Sequence, residues 1–254
     1  MEIKKIVLIV IVLIVIYMFF RYLFKDINTL QNGVINGQNL TTINASSLAT
    51  NGTNSSSNNF AYSIWFYVND WNYRYGEPKV IYGRMGAPSL IGGGSIDNIS
   101  GVDPCPAVVL GAIENNLSIA LGCYTGTDSP STNAKSVVHT CNVANVPIQK
   151  WVNLLVSVYG RTMDVYIDGK LVKTCLLPGI AMIDSNANVY ITPNGGFNGW
   201  TSKFQYWPNP LNPQDAWNTY SQGYGNSILG NLFGSYEIEI SVLENGTTQN
   251  SIKF

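Results

Sequence analysis

Hydrophobic positions change their period twice along this chain. Ile6 to Phe20 is an unbroken apolar run, "IVLIVIVLIVIYMFF". Carried on through Phe24, it is long enough to cross a bilayer's hydrocarbon core of about 30 Å at about 1.5 Å per residue. We read it as an uncleaved transmembrane helix, Ile6 to Phe24, within residues 1–25. The alternative is a cleaved signal peptide, but no small-residue cleavage site follows. Lys4 and Lys5 precede the run, and Arg21 and Lys25 close it. The two ends nearly cancel as a topology signal, so orientation is left open.

Residues 26–59 have no period. They are rich in Asn, Ser, Thr and Gly, as in "NGTNSSSNN". Such a stretch buries little, so it is expected to be a linker or irregular spacer, with ordering over a partner left open. From residue 60 the period becomes two. In "FAYSIWFYV", Phe60, Tyr62, Ile64, Phe66 and Val68 share one face, and Ala61, Ser63, Trp65 and Tyr67 the other. Aromatics on both faces predict a strand in a sheet covered on both sides. Further strands are predicted at 79–83, 107–113, 117–124, 151–159, 162–167, 170–175, 188–192, 200–206 and 236–242. Many short strands separated by turn residues predict a β-sandwich or jelly roll over 60–254. A single short helix is expected after Asn212, with Pro213 at its first position and Asp215 in its first turn.

The stretch 158–175 tests this reading in detail. Asp168-Gly169 has the chemistry of a two-residue hairpin turn whose central residues both need positive φ. That turn sets Ile167 opposite Lys170, Val165 opposite Val172, and Asp164 beside Lys173. Gly160-Arg161 similarly sets Val158 opposite Met163, Val156 opposite Val165 and Leu154 opposite Ile167. Asp168 is therefore expected to form a turn rather than to act as an acid or hold a metal.

Composition narrows the function. Only 11% of residues are charged and the net charge is -1. A nucleic-acid partner is not expected, because phosphate contacts need a basic patch. The single histidine, His139, rules out a multi-histidine metal site. No cofactor is expected, although scattered acids and backbone carbonyls leave a structural calcium ion open. Sequons occur at Asn39, Asn44, Asn51, Asn54, Asn98, Asn116 and Asn245, and matter only outside the cytoplasm.

The four cysteines are Cys105, Cys123, Cys141 and Cys175. Their wide spacing disfavours zinc, and four cysteines allow three pairings. If Asn115-Asn116 turns a hairpin, Cys105 and Cys123 meet at its open end. That leaves Cys141 for Cys175. Bridges would point to an oxidising compartment, or to a virus carrying its own thiol oxidation.

Together these segments resemble the laminin-G-like, concanavalin A-like jelly-roll family. The likeness is carried by "KWVNL" from Lys150, "DVYIDGKLV" from Asp164, "FAYSIWF" from Phe60, "FNGW" from Phe197 and "LNPQD" from Leu211. It covers roughly 60–224. It implies an all-β, concanavalin A-like jelly-roll sandwich with one short helix, here behind an N-terminal transmembrane helix. The flavour is similar to copies encoded by large double-stranded DNA viruses. That implies a virion role, such as a minor capsid or membrane-to-capsid linking protein, with the bilayer and coat proteins as partners. The family also contains lectins and glycoside hydrolases. A lectin would use the loop "NDWNYRYG", with Trp71, Tyr73 and Tyr75 stacking on glycans. A hydrolase would need the family's E-x-D-x-x-E pattern. Glu237 and Glu239 share one strand face about 7 Å apart, but the other acids are missing, so no enzyme is expected. "Gly92-Gly93-Gly94" lacks the lysine and helix start of a phosphate loop.

Overall fold

The computed structural model describes residues 11–12, 14–17, 27–48, 58–84, 104–124, 136–225, 239–244 and 247–253. In chain order its strands are β1 (Thr29–Asn36), β2 (Thr41–Ile43), β3 (Phe60–Asp70), β4 (Lys79–Arg84), β5 (Ala107–Leu110), β6 (Leu117–Tyr124) and β7 (Ser136–Val143). There follow β8 (Trp151–Tyr159), β9 (Thr162–Ile167), β10 (Lys170–Leu176), β11 (Val189–Ile191) and β12 (Asn198–Trp207). The helix α1 (Pro213–Ser221) comes next, then β13 (Glu239–Glu244) and β14 (Thr247–Lys253).

Two antiparallel six-stranded sheets face each other. The front sheet runs β1-β12-β3-β8-β9-β10 and the back sheet β2-β11-β4-β5-β6-β7. The chain is an all-β sandwich of jelly-roll type with one α-helix among the described residues after Asn28. β3 shows why. Phe60, Tyr62, Ile64, Phe66 and Val68 enter the core between the sheets, all at most 1% exposed. The opposite face of β3 is also covered, Trp65 being 4% exposed.

α1 packs on that outer face. Ala216 and Leu211 pack with Leu155 and Tyr166, and Ser157 Oγ both accepts from Leu211 N–H and donates to Leu211 C=O. Its N-terminus carries the expected cap. Asn212 accepts from Asp215 N–H while the Asp215 carboxylate accepts from Asn212 N–H. This capping box satisfies two otherwise orphaned donors. The β9–β10 tip tucks under the helix. A Cβ on Gly169 would sit 3.0 Å from Tyr220 and 3.1 Å from Trp217, and its φ of +72 is one that glycine tolerates best.

Asp168 is a turn residue, as expected, with φ 49 beside Gly169 at φ 72. Its carboxylate also ties the tip back to β8, accepting from Asn153 N–H at 2.9 Å and pairing with Lys150 at 3.0 Å. The β8–β9 register holds all three expected pairs. The β9–β10 register does not. Ile167 faces Lys170, but Lys173 faces Val165 and Thr174 faces Asp164, because a bulge intervenes between Leu171 and Lys173. Val172 is consequently 47% exposed rather than paired inward, and Asp164 accepts from Thr174 instead of meeting Lys173.

That bulge has a physical purpose. Without it, Thr174 would face Met163 on the core side and Cys175 would point outward. The extra residue sets Cys175 opposite Met163. The sulfur then reaches Cys141 on β7, forming a disulfide with Cα atoms 6.1 Å apart. β7 and β10 are the matching edges of the two sheets, so the bond staples the sandwich shut on that side.

The other expected bridge is absent. Cys105 and Cys123 are buried and not joined. The β5–β6 register pairs Ala107 with Ala120; carried back, it sets Cys105 across from Gly122, one position out of step with Cys123. A bridge needs well-opposed Cβ atoms. Burial pushes the Cys123 thiol up to about 11, which keeps it protonated and unreactive at neutral pH.

The spacer reading of 26–59 also needs correcting in part. β1 pairs with β12 and β2 with β11, so residues 29–43 contribute an edge strand to each sheet. Gln205, buried in β12, donates to Thr29 Oγ1 at 3.1 Å. A polar strand is admitted because an edge position needs backbone pairing more than apolar side chains. β7, β13 and β14 were likewise not foreseen as they stand: β13 pairs with β14 in a separate two-stranded sheet. Of the apolar run, Ile11, Val12 and Ile14–Tyr17 are helical and exposed, and the rest of the expected span lies outside the described residues. No helix among the described residues is long and apolar enough to cross a membrane.

Deleting Val172 should remove the bulge and turn Cys175 outward. Thiol titration of the folded variant should then count two more free thiols than the parent. The chain-entropy cost of losing a bridge between residues 34 apart is about 4 kcal/mol, so the denaturation midpoint should fall with it. A variant that keeps the bridge would show that the bulge does not orient Cys175.

Candidate functional site: an aromatic face and an amide-lined cleft

The loop expected to carry a lectin-like site does not gather its three aromatics. Trp71 turns back onto the sandwich, where its indole N–H donates to Ile113 C=O at 2.9 Å. Lys79 Nζ lies 4.7 Å from the Trp71 ring centroid. Burial pulls the Lys79 ammonium below its ordinary range, and the charge of Arg74 adds to this. Tyr73 points elsewhere, its hydroxyl donating to Gly195 C=O at 3.0 Å. Tyr75 stands in solvent, 59% exposed. Arg74 holds the loop's shape, paired with Glu77 at 2.8 Å and donating to Asn194 C=O.

Trp71 nonetheless lines a cleft of about 550 Å³ with Ile113, Glu114, Asn115, Asn116, Asn145 and Ile148. The walls are apolar at Trp71, Ile113 and Ile148; the remainder is amide and carboxylate. Asn115 knits two of the walls together, donating to Val146 C=O at 3.1 Å and accepting Val146 N–H through its backbone at 2.8 Å. Asn116 donates to the Glu114 carboxylate at 2.7 Å. An apolar plate beside such amides can stack on a ring and hydrogen-bond its hydroxyls.

The larger feature is one that no single sequence segment announced. On the outer face of the front sheet, Trp200 of β12 lies opposite Tyr67 of β3, and Tyr67 lies opposite Trp151 of β8. Their rings meet edge to face, with centroids 5.5 Å and 5.8 Å apart. Tyr224 stacks on Trp151 at 4.3 Å and touches Trp65, and Trp65 stacks on Tyr220 at 5.5 Å. Trp217 of α1 completes the run beside Tyr220. Trp200, Trp217 and Tyr224 remain 40%, 47% and 40% exposed.

Local chemistry fixes this face. Gly199 must be glycine, since a Cβ there would fall 1.8 Å from Tyr67 C=O. A register shift in β12 between Ser202 and Gln205 accompanies two bonds that hold the segment after α1 to the sheet. Ser202 Oγ donates to Tyr224 C=O at 2.7 Å, and Lys203 Nζ donates to Gln222 Oε1 at 3.0 Å. The signal in the sequence was the second face of β3. It could be extended to a three-strand row only by knowing which strands flank β3.

Among the described residues, no three His, Cys, Asp or Glu side chains converge on a common point that could hold a metal ion. Glu237 and the triple glycine at 92–94 lie outside the described residues, and Glu239 begins β13. One buried polar group stands out: Arg84, 1% exposed, donates to Ala187 C=O at 3.2 Å and to the Tyr62 hydroxyl at 3.5 Å. This cluster lies in the core, with Tyr62 and Tyr82 at most 1% exposed beside Arg84. Burial pushes the hydroxyls of Tyr62 and Tyr82 well up from their ordinary 10.0 and raises that of Tyr206.

Those raised values carry a pH dependence. The folded phenols stay protonated while the unfolded ones ionise near pH 10, so the unfolded state holds fewer protons above that pH. Their stabilisation is complete below about pH 10 and is lost as pH rises through the higher folded values. Stability measured by denaturant should therefore decline steadily above pH 10. In the near-ultraviolet, the buried phenols should ionise only together with unfolding. Full tyrosine ionisation in the folded protein would contradict this.

No protein-family model and no curated protein matches the chain. Solved structures similar to it include the binding domain of botulinum neurotoxin DC in complex with rat synaptotagmin II, 17% identical over 71% of this chain and 38% of that one, with a TM-score of 0.48. The botulinum neurotoxin serotype D binding domain is 14% identical over 76% of this chain and 50% of its own, with a TM-score of 0.47. The binding domain of botulinum neurotoxin DC in complex with SialylT is 14% identical over 75% of this chain and 44% of its own, also at 0.47. The chain thus spans half or less of the length of these three structures.

Proposed function

We propose that this chain is a membrane-anchored binding module. The apolar segment from Ile6 to Phe24 fixes it in a bilayer, and the outer face of the front sheet holds a protein partner, a coat protein of a virus particle. The observation that carries the reading is the aromatic row Trp200–Tyr67–Trp151 with Tyr224 stacked beside it. Tyr and Trp are the residues enriched at the centres of protein interfaces, where their rigid rings bury large areas at small entropic cost. A chain with 11% charged residues spends little on desolvating charge when such a face is covered.

Purified particles should contain the chain in a fraction holding both membrane and coat protein. Replacing Trp200 and Trp151 together by alanine should cut its incorporation at least tenfold, since central aromatic anchors are each worth about 2 kcal/mol or more. Absence of the chain from particles, or equal incorporation of the variant, would remove this reading.

The cleft beside Trp71 supports a second reading, a membrane-anchored lectin. Its apolar plate and its Asn115, Asn116 and Asn145 amides suit a sugar ring. The full chain in detergent micelles should then show saturable binding on a glycan array. Trp71→Ala should abolish it, while Trp200→Ala should leave it intact. A blank array would eliminate the lectin.

A further inference from the structure

We infer that Asn39 and Asn44 carry N-linked glycans, and that the sandwich therefore folds on the lumenal, oxidising side of its membrane. The orientation rests on the membrane anchor proposed above. The glycans do not, and the aromatic face has no part in either.

Two independent observations point the same way. The first is the Cys141–Cys175 disulfide, which joins one sheet to the other. Structural disulfides form and persist in oxidising compartments. A chain that enters the secretory one also meets the enzyme that modifies N-x-S/T. The second is where the fold puts its sequons. Asn39-Leu40-Thr41, Asn44-Ala45-Ser46 and Asn116-Leu117-Ser118 fall among the described residues, whereas Asn51, Asn54, Asn98 and Asn245 lie outside them.

Asn39 lies in the bend between β1 and β2, and backbone bonds fix that bend. Asn39 N–H donates to Asn36 C=O at 3.1 Å, Thr192 Oγ1 donates to Asn39 C=O at 2.6 Å, and Gly37 N–H donates to Gly199 C=O at 2.8 Å. The residue itself is exposed. Asn44 precedes the short helical turn Ala45–Leu48. Leu48, 1% exposed, anchors that turn in the core, and Ala45 N–H donates to Asn188 Oδ1 at 2.9 Å. Asn44 and Ser46 are left exposed. A bulky, hydrated sugar on either asparagine stands on a surface turn and displaces no core packing.

Asn116 differs. It is half-buried and its side-chain amide donates to the Glu114 carboxylate at 2.7 Å. Ser118, 4% exposed, donates to Asn142 Oδ1 at 2.6 Å. A sugar on the Asn116 nitrogen would compete with the Glu114 contact and crowd the cleft beside Trp71. The fold thus separates two sequons that accept a glycan from one that does not.

The modification is a glycosyl transfer from a lipid-pyrophosphate-linked oligosaccharide. The side-chain amide nitrogen forms a bond to the anomeric carbon. The bond from that carbon to the pyrophosphate oxygen breaks, and the lipid pyrophosphate leaves with its electron pair. The amide gives up one proton, and nothing is oxidised or reduced. Since the transfer takes place on the lumenal side, Lys4 and Lys5 are then cytoplasmic, and Arg21 and Lys25 close the anchor at its lumenal end. A partner of the aromatic face then has to be met on the lumenal side.

The test translates the full chain with and without microsomes from the endoplasmic reticulum. With them, the sandwich should be protected from added protease, and an endoglycosidase should lower its mass. Peptide mapping after enzymatic deglycosylation should find Asn39 and Asn44 converted to aspartate and Asn116 unchanged. Asn39→Gln and Asn44→Gln should each remove one glycan increment, and Asn116→Gln none. Resistance of the chain to alkaline extraction reads the anchor separately. A protected sandwich with Asn39 and Asn44 unmodified would overturn the glycans and leave the anchor standing. A sandwich digested outside the vesicles would overturn both the glycans and the orientation, and modification of Asn116 in place of the two turns would overturn their assignment.

Discussion

Everything in this molecule is arranged around a strand that has no polar face. β3 buries Phe60, Tyr62, Ile64, Phe66 and Val68 on one side and Ala61, Ser63 and Trp65 on the other. A strand apolar on both faces must be central in its sheet and must be covered twice. The back sheet supplies one cover and forms the core. The other cover is α1 with the segment up to Tyr224, pinned by Ser157, Ser202 and Lys203. The helix is short and its cover is partial, so the row from Trp200 to Trp151 stays partly in solvent. The candidate binding face is thus the uncovered remainder of a packing requirement.

Irregularities in the strands, rather than the strands themselves, place the functional atoms. The bulge at Val172 turns Cys175 toward Cys141 and exposes Val172 along the edge. The register shift in β12 lies where the sheet grips Gln222 and Tyr224. In both cases one extra residue changes which face a side chain occupies, because the side-chain period of a strand is two.

The scarcity of charge shapes the rest. The two ion pairs given by the described side chains, Arg74–Glu77 and Lys150–Asp168, both fix loop geometry rather than add much energy. Arg84 is the exception, buried among phenols instead of opposite a carboxylate.

How far the chain could be read without its structure follows from the range of the forces involved. Alternation in 60–68, the Asp168-Gly169 turn, the β8–β9 pairing and the Asn212 cap are set by neighbours a few residues away, and each stands as the local chemistry dictates. The Cys141–Cys175 bridge was expected only as the remainder of a Cys105–Cys123 pairing that the structure does not contain. The β9–β10 register was not. β10 is an edge strand with no buried face to fix its phase, and the bulge answers to a sulfur 34 residues distant. The polar residues 29–43 looked unable to fold because they bury little; they fold because β12 and β11 offer them backbone partners. Trp71, Tyr73 and Tyr75 are adjacent in the loop but are held by three different surroundings. Trp200, Tyr67 and Trp151 are far apart in the chain and share one row. Local sequence determined which segments are strands and turns. Which aromatics stand together was decided only by strand order, because that order is a property of the whole sheet.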